Sequence, residues 1–188
     1  MSRDENIKMF IDKLELLASG DRAVLKRNAG NSLAETRGGA MAVFYRTLPF
    51  GIRPNEEELW FVVATLRFLN RYKIEASEDG PSRDFGWTLS EIKKVYKTDS
   101  FDMRVCGLLD CRWNEGDGAL AHRLRQTVKL ADGKSIPVDW DCLLKDLLNW
   151  EHPERWVQKK WARSYFGSRL KREIGNENSD ENNGLEEE

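Results

Sequence analysis

Apolar residues recur at three- and four-residue steps from the start of the chain. Ile7, Phe10, Ile11, Leu14 and Leu17 make one stripe, the spacing that lines one face of an α-helix. Gly20 is expected to stop this helix, and Asp21 to cap the next, which runs to about Ala29. A third helix is expected from Ala40 to Leu48, ended by Pro49 and Gly51. Pro54, Asn55 and Glu58 then read as a capping box before LWFVVATLRFL, a run apolar on most faces and so expected at the centre of the fold.

The segment SEDGPSRDFG breaks this pattern with polar and turn-forming residues and reads as a joining loop. Thr88 with Glu91 predicts a short helix, followed by one over about Ser100 to Arg112, a turn at Asn114 to Gly118, and a helix over about Ala119 to Ala131. Pro137 is placed to open a helix through Asn149, and Pro153 a last one through about Leu170. No strand, hairpin or internal repeat is expected. The predicted fold is an all-α helical bundle of two small lobes, residues 1–75 and 88–172, joined by a loop at 76–87.

Charge alters this picture at the C-terminus. The chain has a net charge of −2, yet no Lys or Arg follows Arg172, and seven acids do. Residues 1–172 therefore carry 30 bases against 25 acids, a mildly basic body. The tail, 173–188, has almost nothing apolar to bury and is expected to be disordered. It reads either as a solubilising tail or as a screen against non-specific nucleic-acid contact. Three cysteines without a CxxC pair, Cys106, Cys111 and Cys142, are expected as buried thiols. No run approaches the roughly 20 apolar residues of a membrane span. The acid-bearing start MSRDENIKMF lacks the pattern of a signal peptide, so a cytoplasmic protein is expected.

No residue set points to catalysis. His122 and His152 lack the spacing of metal ligands. Asp110, Glu115 and Asp117 do not follow a calcium-loop pattern, and Gly116 and Gly118 lack the strand and Lys of a phosphate-binding loop. Asp139 and Asp141 flank Trp140 where acids favour a helix start. No catalytic, metal or cofactor residue is assigned.

The bases are more informative. From Arg155 to Arg172 there are seven bases and no acid, with Arg155, Lys159 and Arg163 spaced as one helical ridge. Arg22, Lys26 and Arg27 form a second cluster, and Arg123, Arg125 and Lys129 a third. An acid-free basic face suits a polyanion, since each phosphate contact releases counterions. The alternative for each cluster is a solvated helix face. Among the seven Trp residues, Trp60, Trp140, Trp150 and Trp161 are expected in the core. Trp87 and Trp113 are the candidates for partner contact or base stacking.

The strings LLASGDRAVLKRNAG, AVFYRTLPFG and IPVDWDCLLKDLLNWEHPERWVQKKWARSYF resemble the CasB family, the small subunit of the type I-E CRISPR Cascade complex. The C-terminal string is the specific one: a proline–acid–Trp start, a Leu-rich helix, a Trp–acid–His–Pro turn, then the basic VQKKWAR segment. The similarity runs from about residue 7 to 166, with a variable loop near 73–90. The resemblance implies an all-helical subunit without chemistry of its own. Two copies would lie between the crRNA-bound backbone subunits and the large subunit, helping to hold target and displaced DNA strands while a separate recruited nuclease cuts. Carried onto this chain, it implies nucleic-acid contact by Lys26, Arg27, Arg46, Arg104, Arg123, Arg125, Lys159 and Arg163, to which the residue pattern adds Lys129. Two features depart from the family pattern: Asp132 and Gly133 before the IPVDW turn, and the acids Asp110 and Glu115 beside Arg112. A purely structural adaptor within a ribonucleoprotein is the other reading left open.

Overall fold

The structure, a computed structural model, describes residues 2–74, 83–96, 98–113 and 118–167. Among them every regular element is helical, as the sequence predicts. Helix α1 (Arg3–Glu15) starts in a reciprocal cap: the Ser2 hydroxyl accepts from the Glu5 amide, and the Glu5 carboxylate accepts from the Ser2 amide. Its stripe of Ile7, Phe10, Ile11 and Leu14 is buried. Leu17 lies beyond the helix end, because Arg22 reaches back to the Leu17 carbonyl at 2.7 Å and the Glu15 carbonyl at 2.5 Å. These are the carbonyls a helix end leaves open.

Helix α2 (Ser19–Arg27) therefore begins earlier than expected, with Ala18 at the N-cap and Gly20 and Asp21 inside its first turn. Helix α3 (Gly38–Thr47) follows. Helix α4 (Glu57–Leu66) is central as predicted: every residue from Leu59 to Leu66 is buried. The capping box expected at its start does not form. The Glu58 carboxylate instead takes the Leu33 amide at 2.9 and 3.0 Å, tying down the loop before α3. A 3-10 turn, Arg67–Leu69, completes α4. From it the buried Arg67 reaches Glu15 at the end of α1, which also pairs with Lys73 at 2.8 Å. Burial works to raise the Glu15 carboxyl, but Lys73 and Arg67 outweigh it and hold the group below the usual carboxylate range.

Helix α5 (Phe85–Tyr96) begins three residues before the Thr88 signal, so residues 85–87 of the expected loop are helical. Asp84 caps it by accepting from the Trp87 amide at 2.9 Å, while Thr88 is buried and donates to the Pro137 carbonyl. Helices α6 (Asp99–Leu109) and α7 (Ala119–Asp132) follow. Helix α8 (Trp140–Leu147) is capped by Asp139, which accepts from the Cys142 amide at 2.9 Å; Pro137 precedes it. The last helix, α9, covers residues 156–167.

Helix α4 lies against α2, α7 and α8, while α1 packs on α8 and α5 on both α6 and α7. The buried apolar side chains form one cluster from Ile7 to Tyr165, so residues on either side of the expected joining loop share a core. Most of that loop, and the acidic tail, lie outside the described residues. The four Trp residues expected inside are buried. Helix α9 meets α5 backbone to backbone at Gly86, where a Cβ would stand 2.7 Å from the Trp161 Cα and 2.9 Å from the Ser164 Cβ. Gly86→Ala should lower the free energy of unfolding by about 1–3 kcal/mol, the range for overpacking a tight site. Urea denaturation checks this, and an unchanged midpoint would refute the close approach.

Candidate nucleic-acid interface

Every basic residue singled out from the sequence except Arg155 sits on a helix, and the fold sorts them into separate groups. Lys26 and Arg27 occupy the exposed last turn of α2. Just beyond, Gly30 turns the chain at φ +90°, and a Cβ there would lie 2.7 Å from the Arg125 Cδ. The turn that follows α2 thus abuts Arg125 of α7, and Lys26 lies close enough to Asp132, the last residue of α7, to act on its charge; Arg125 and Lys129 stand one turn apart. Lys129 is exposed; Arg125 is half-buried, and its Nε has no hydrogen-bond partner among the described residues.

This group contains one acid. Asp132, one turn beyond Lys129, accepts from the Arg71 amide at 3.0 Å and from its guanidinium at 3.2 Å. Slight burial works to raise the Asp132 carboxyl, but the Arg71 hydrogen bonds and the charges of Arg71 and Lys26 outweigh it and hold it below the usual range. The departure noted at Asp132 is therefore offset by Arg71. Sequence reasoning missed Arg71 because it follows α4 in an irregular segment where no periodicity signals its direction.

Arg123 belongs elsewhere. Residues two apart on a helix diverge, and while Arg125 faces α2, the Arg123 guanidinium lies over Gly107 of α6. Arg104, one turn before Gly107 and exposed, joins it in a second group. Arg46 on α3 is exposed but pairs with Asp21 of α2 at 3.1 Å, so its charge is partly spent within the chain. On α9, Lys159 and Arg163 share an exposed face, a third group. The ridge expected to start at Arg155 is shorter than predicted. Arg155 precedes the helix at φ +49°, donates to the Leu109 carbonyl at 2.6 Å and lies 3.7 Å from Asp110.

Trp87 is half-buried beneath Arg83, whose guanidinium carbon is 5.1 Å from the ring. Trp113 is half-buried against the core, its amide bonded to Glu151. His122 is exposed and shares a hydrogen bond with Gln126; His152 is exposed. The cysteines are free as expected, but none is fully buried and Cys106 is exposed, because it lies on the outer face of α6 between inward Val105 and Leu108. Among the described residues no group of His, Cys, Asp and Glu could hold a metal ion, and no helix is long and apolar enough to cross a membrane. The turn at Asn114 to Asp117 lies outside the described residues.

Comparison with known proteins bears on this arrangement. The family model described as CRISPR-associated protein Cse2 matches residues 21–166. A CRISPR-associated protein Cse2 of Thermus thermophilus is 34% identical over 116 residues, which is 62% of this chain and 60% of that protein's length. The crystal structure of CasB from M. ruber superposes with a TM-score of 0.73 at 25% identity, over 90% of this chain and 97% of that one. A chain of a CRISPR RNA-guided surveillance complex shares the fold at TM-score 0.71 and 19% identity, over 91% and 98%. The chain belongs to the Cse2 family.

The grouping separates bases that pack from bases that face solvent. Arg125→Ala should cost about 1 kcal/mol, a typical single-mutant loss, because its stem packs against the Gly30 turn. Lys26→Ala and Lys129→Ala should each stay within about 0.5 kcal/mol of wild type. Urea titration of the three variants checks the contrast; equal losses would contradict the placement.

Proposed function

We propose that this Cse2-family chain is a non-catalytic, cytoplasmic subunit of a type I-E CRISPR Cascade complex that steadies the DNA strands of the R-loop in antiviral defence. Its partners in this reading are the crRNA-bound backbone subunits, the large subunit, a second copy of itself, crRNA and target DNA. The observation that carries the reading is the distribution of exposed cations. The α2–α7 group, the α6–α7 group and the α9 pair stand on helices that share one core. Spread charge of this kind suits a backbone of regularly spaced phosphates. It carries no sequence information, and needs none where base pairing to a guide RNA reads the target. A body with a modest excess of bases gives a weak field alone, so useful affinity arises within the assembly, where several subunits contact one nucleic acid.

The adaptor reading is favoured by a separate observation, the full exposure of Phe50 in the turn after α3. The two roles are compatible, since one face can hold protein and another nucleic acid.

Co-expression of the tagged chain with its genomic neighbours tests the reading. It should elute in a large particle with a guide RNA of defined length; elution alone, without RNA, would refute it. In that particle, combining Lys26→Ala with Lys129→Ala should weaken target-DNA binding several-fold and by the same factor on every fully matched target. A loss confined to particular sequences, or none, would count against the α2–α7 group.

A further inference from the structure

Bases and acids are segregated along this chain. On the described body many acids are taken up by a base nearby: Asp21 pairs with Arg46, Asp132 with Arg71, Asp146 with Lys160 and Asp4 with Lys145. Lys159 and Arg163 are left over. Both are exposed on α9, and neither has an acidic partner among the described residues. No residue of α9 is itself an acid. The acids stand further along the chain, where seven fall between Glu173 and Glu188 with no Lys or Arg among them.

The chain leaves α9 beside this pair. Arg163 is one turn before Gly167, where a Cβ would stand 3.9 Å from the Arg163 Cγ. Lys159 is one turn further back on the same face, about 6 Å along the helix. Glu173 and Glu177 follow Gly167 closely enough in sequence to reach about 20–35 Å from it when extended. That is ample to double back over both side chains. Closing so short a loop costs little entropy, and the tether keeps the acids at about millimolar effective concentration. The other basic groups suit the acids less well, since Asp132 already lies within the α2–α7 group and Asp110 follows Arg104 on α6. Exposed ion pairs are individually weak and screened by salt, so a contact of this kind is readily displaced.

We propose that the acidic segment 173–188 lies over Lys159 and Arg163 of its own chain, its carboxylates standing where phosphates would otherwise bind. A loose polyanion must compete with a tethered one for these two cations. A nucleic acid held by several subunits at once displaces the segment, because its other contacts are already made. The displacement rests on the nucleic-acid reading above; the contact between the segment and α9 does not.

Carbodiimide crosslinking of the full chain at low salt, read by mass spectrometry, tests the contact. Lys159 should join to acids of 173–188, and the yield should fall about fivefold at roughly 0.5 M salt, where screening is strong. In a mixture of 14N- and 15N-labelled chains each crosslinked product should carry one label. Absence of the Lys159 crosslink, or products that mix labels, would overturn the proposal. A full-length variant with all seven acids changed to Gln or Asn should bind a single-stranded DNA oligonucleotide about tenfold more tightly by fluorescence anisotropy. In a Lys159→Ala, Arg163→Ala background the same neutralisation should give a gain about threefold smaller or less, with the urea midpoint unchanged. An equal gain in both backgrounds means that the segment acts through net charge alone, which overturns the docking. A crosslink that forms while neither the chain nor its particle binds DNA supports the contact and overturns the nucleic-acid reading instead.

Discussion

The carboxylate of Asp146 fixes where the last helix lies. It is almost wholly buried on α8, and accepts from Lys160 Nζ at 2.7 Å and from Trp161 Nε1 at 2.7 Å, both on α9. Burial penalises charge on both partners. Asp146 stays above the usual carboxylate range because burial outweighs its two donors; Lys160, half in solvent, is held charged by Asp146 despite burial. An isolated buried charge would be costly, so α9 has little freedom to rotate or slide without breaking the set. Trp161 in turn packs at a tilt against Trp150 and Phe85, and Ser164 and Tyr165 donate to Asp84 and Asp102. This registry turns Lys159 and Arg163 outward while Lys160 between them points in.

The same logic of packing first and charge second explains the other basic groups. The Arg125 stem lies against Gly30 in the turn after α2 and the Arg123 guanidinium against Gly107 of α6, so the two arginines leave α7 on different sides. Arg22 and Arg67 are consumed by helix ends and by Glu15, and Arg155 by the end of α6. What is left facing solvent is a sparse set of lysines and arginines on a stiff frame. The helices fix where each of these side chains starts, while the exposed stems keep rotamer freedom that any partner would have to order.

The helical class, the buried stripe of α1 and the central place of α4 were legible, the stripe from its three- and four-residue apolar period and α4 from a run apolar on most faces. Boundaries were not, wherever a side chain outside the local pattern decides them. Arg22 ends α1, Asp84 starts α5 three residues before the threonine that resembled a cap, and Glu58 bonds a distant loop instead of its own helix. The basic clusters were legible as composition, and the family resemblance named the right relatives. Their division was not, since Arg123 and Arg125 read as one patch along the chain but diverge in space.

The central claim is that this chain contributes positive charge to a DNA-bound particle. The most direct test is the salt dependence of target-DNA affinity for particles assembled with and without it. Counterion release predicts that its presence tightens binding and steepens the slope of log K against log salt by about 0.7–0.9 per phosphate contacted. Tighter binding with an unchanged slope would contradict the account and leave the chain a protein adaptor.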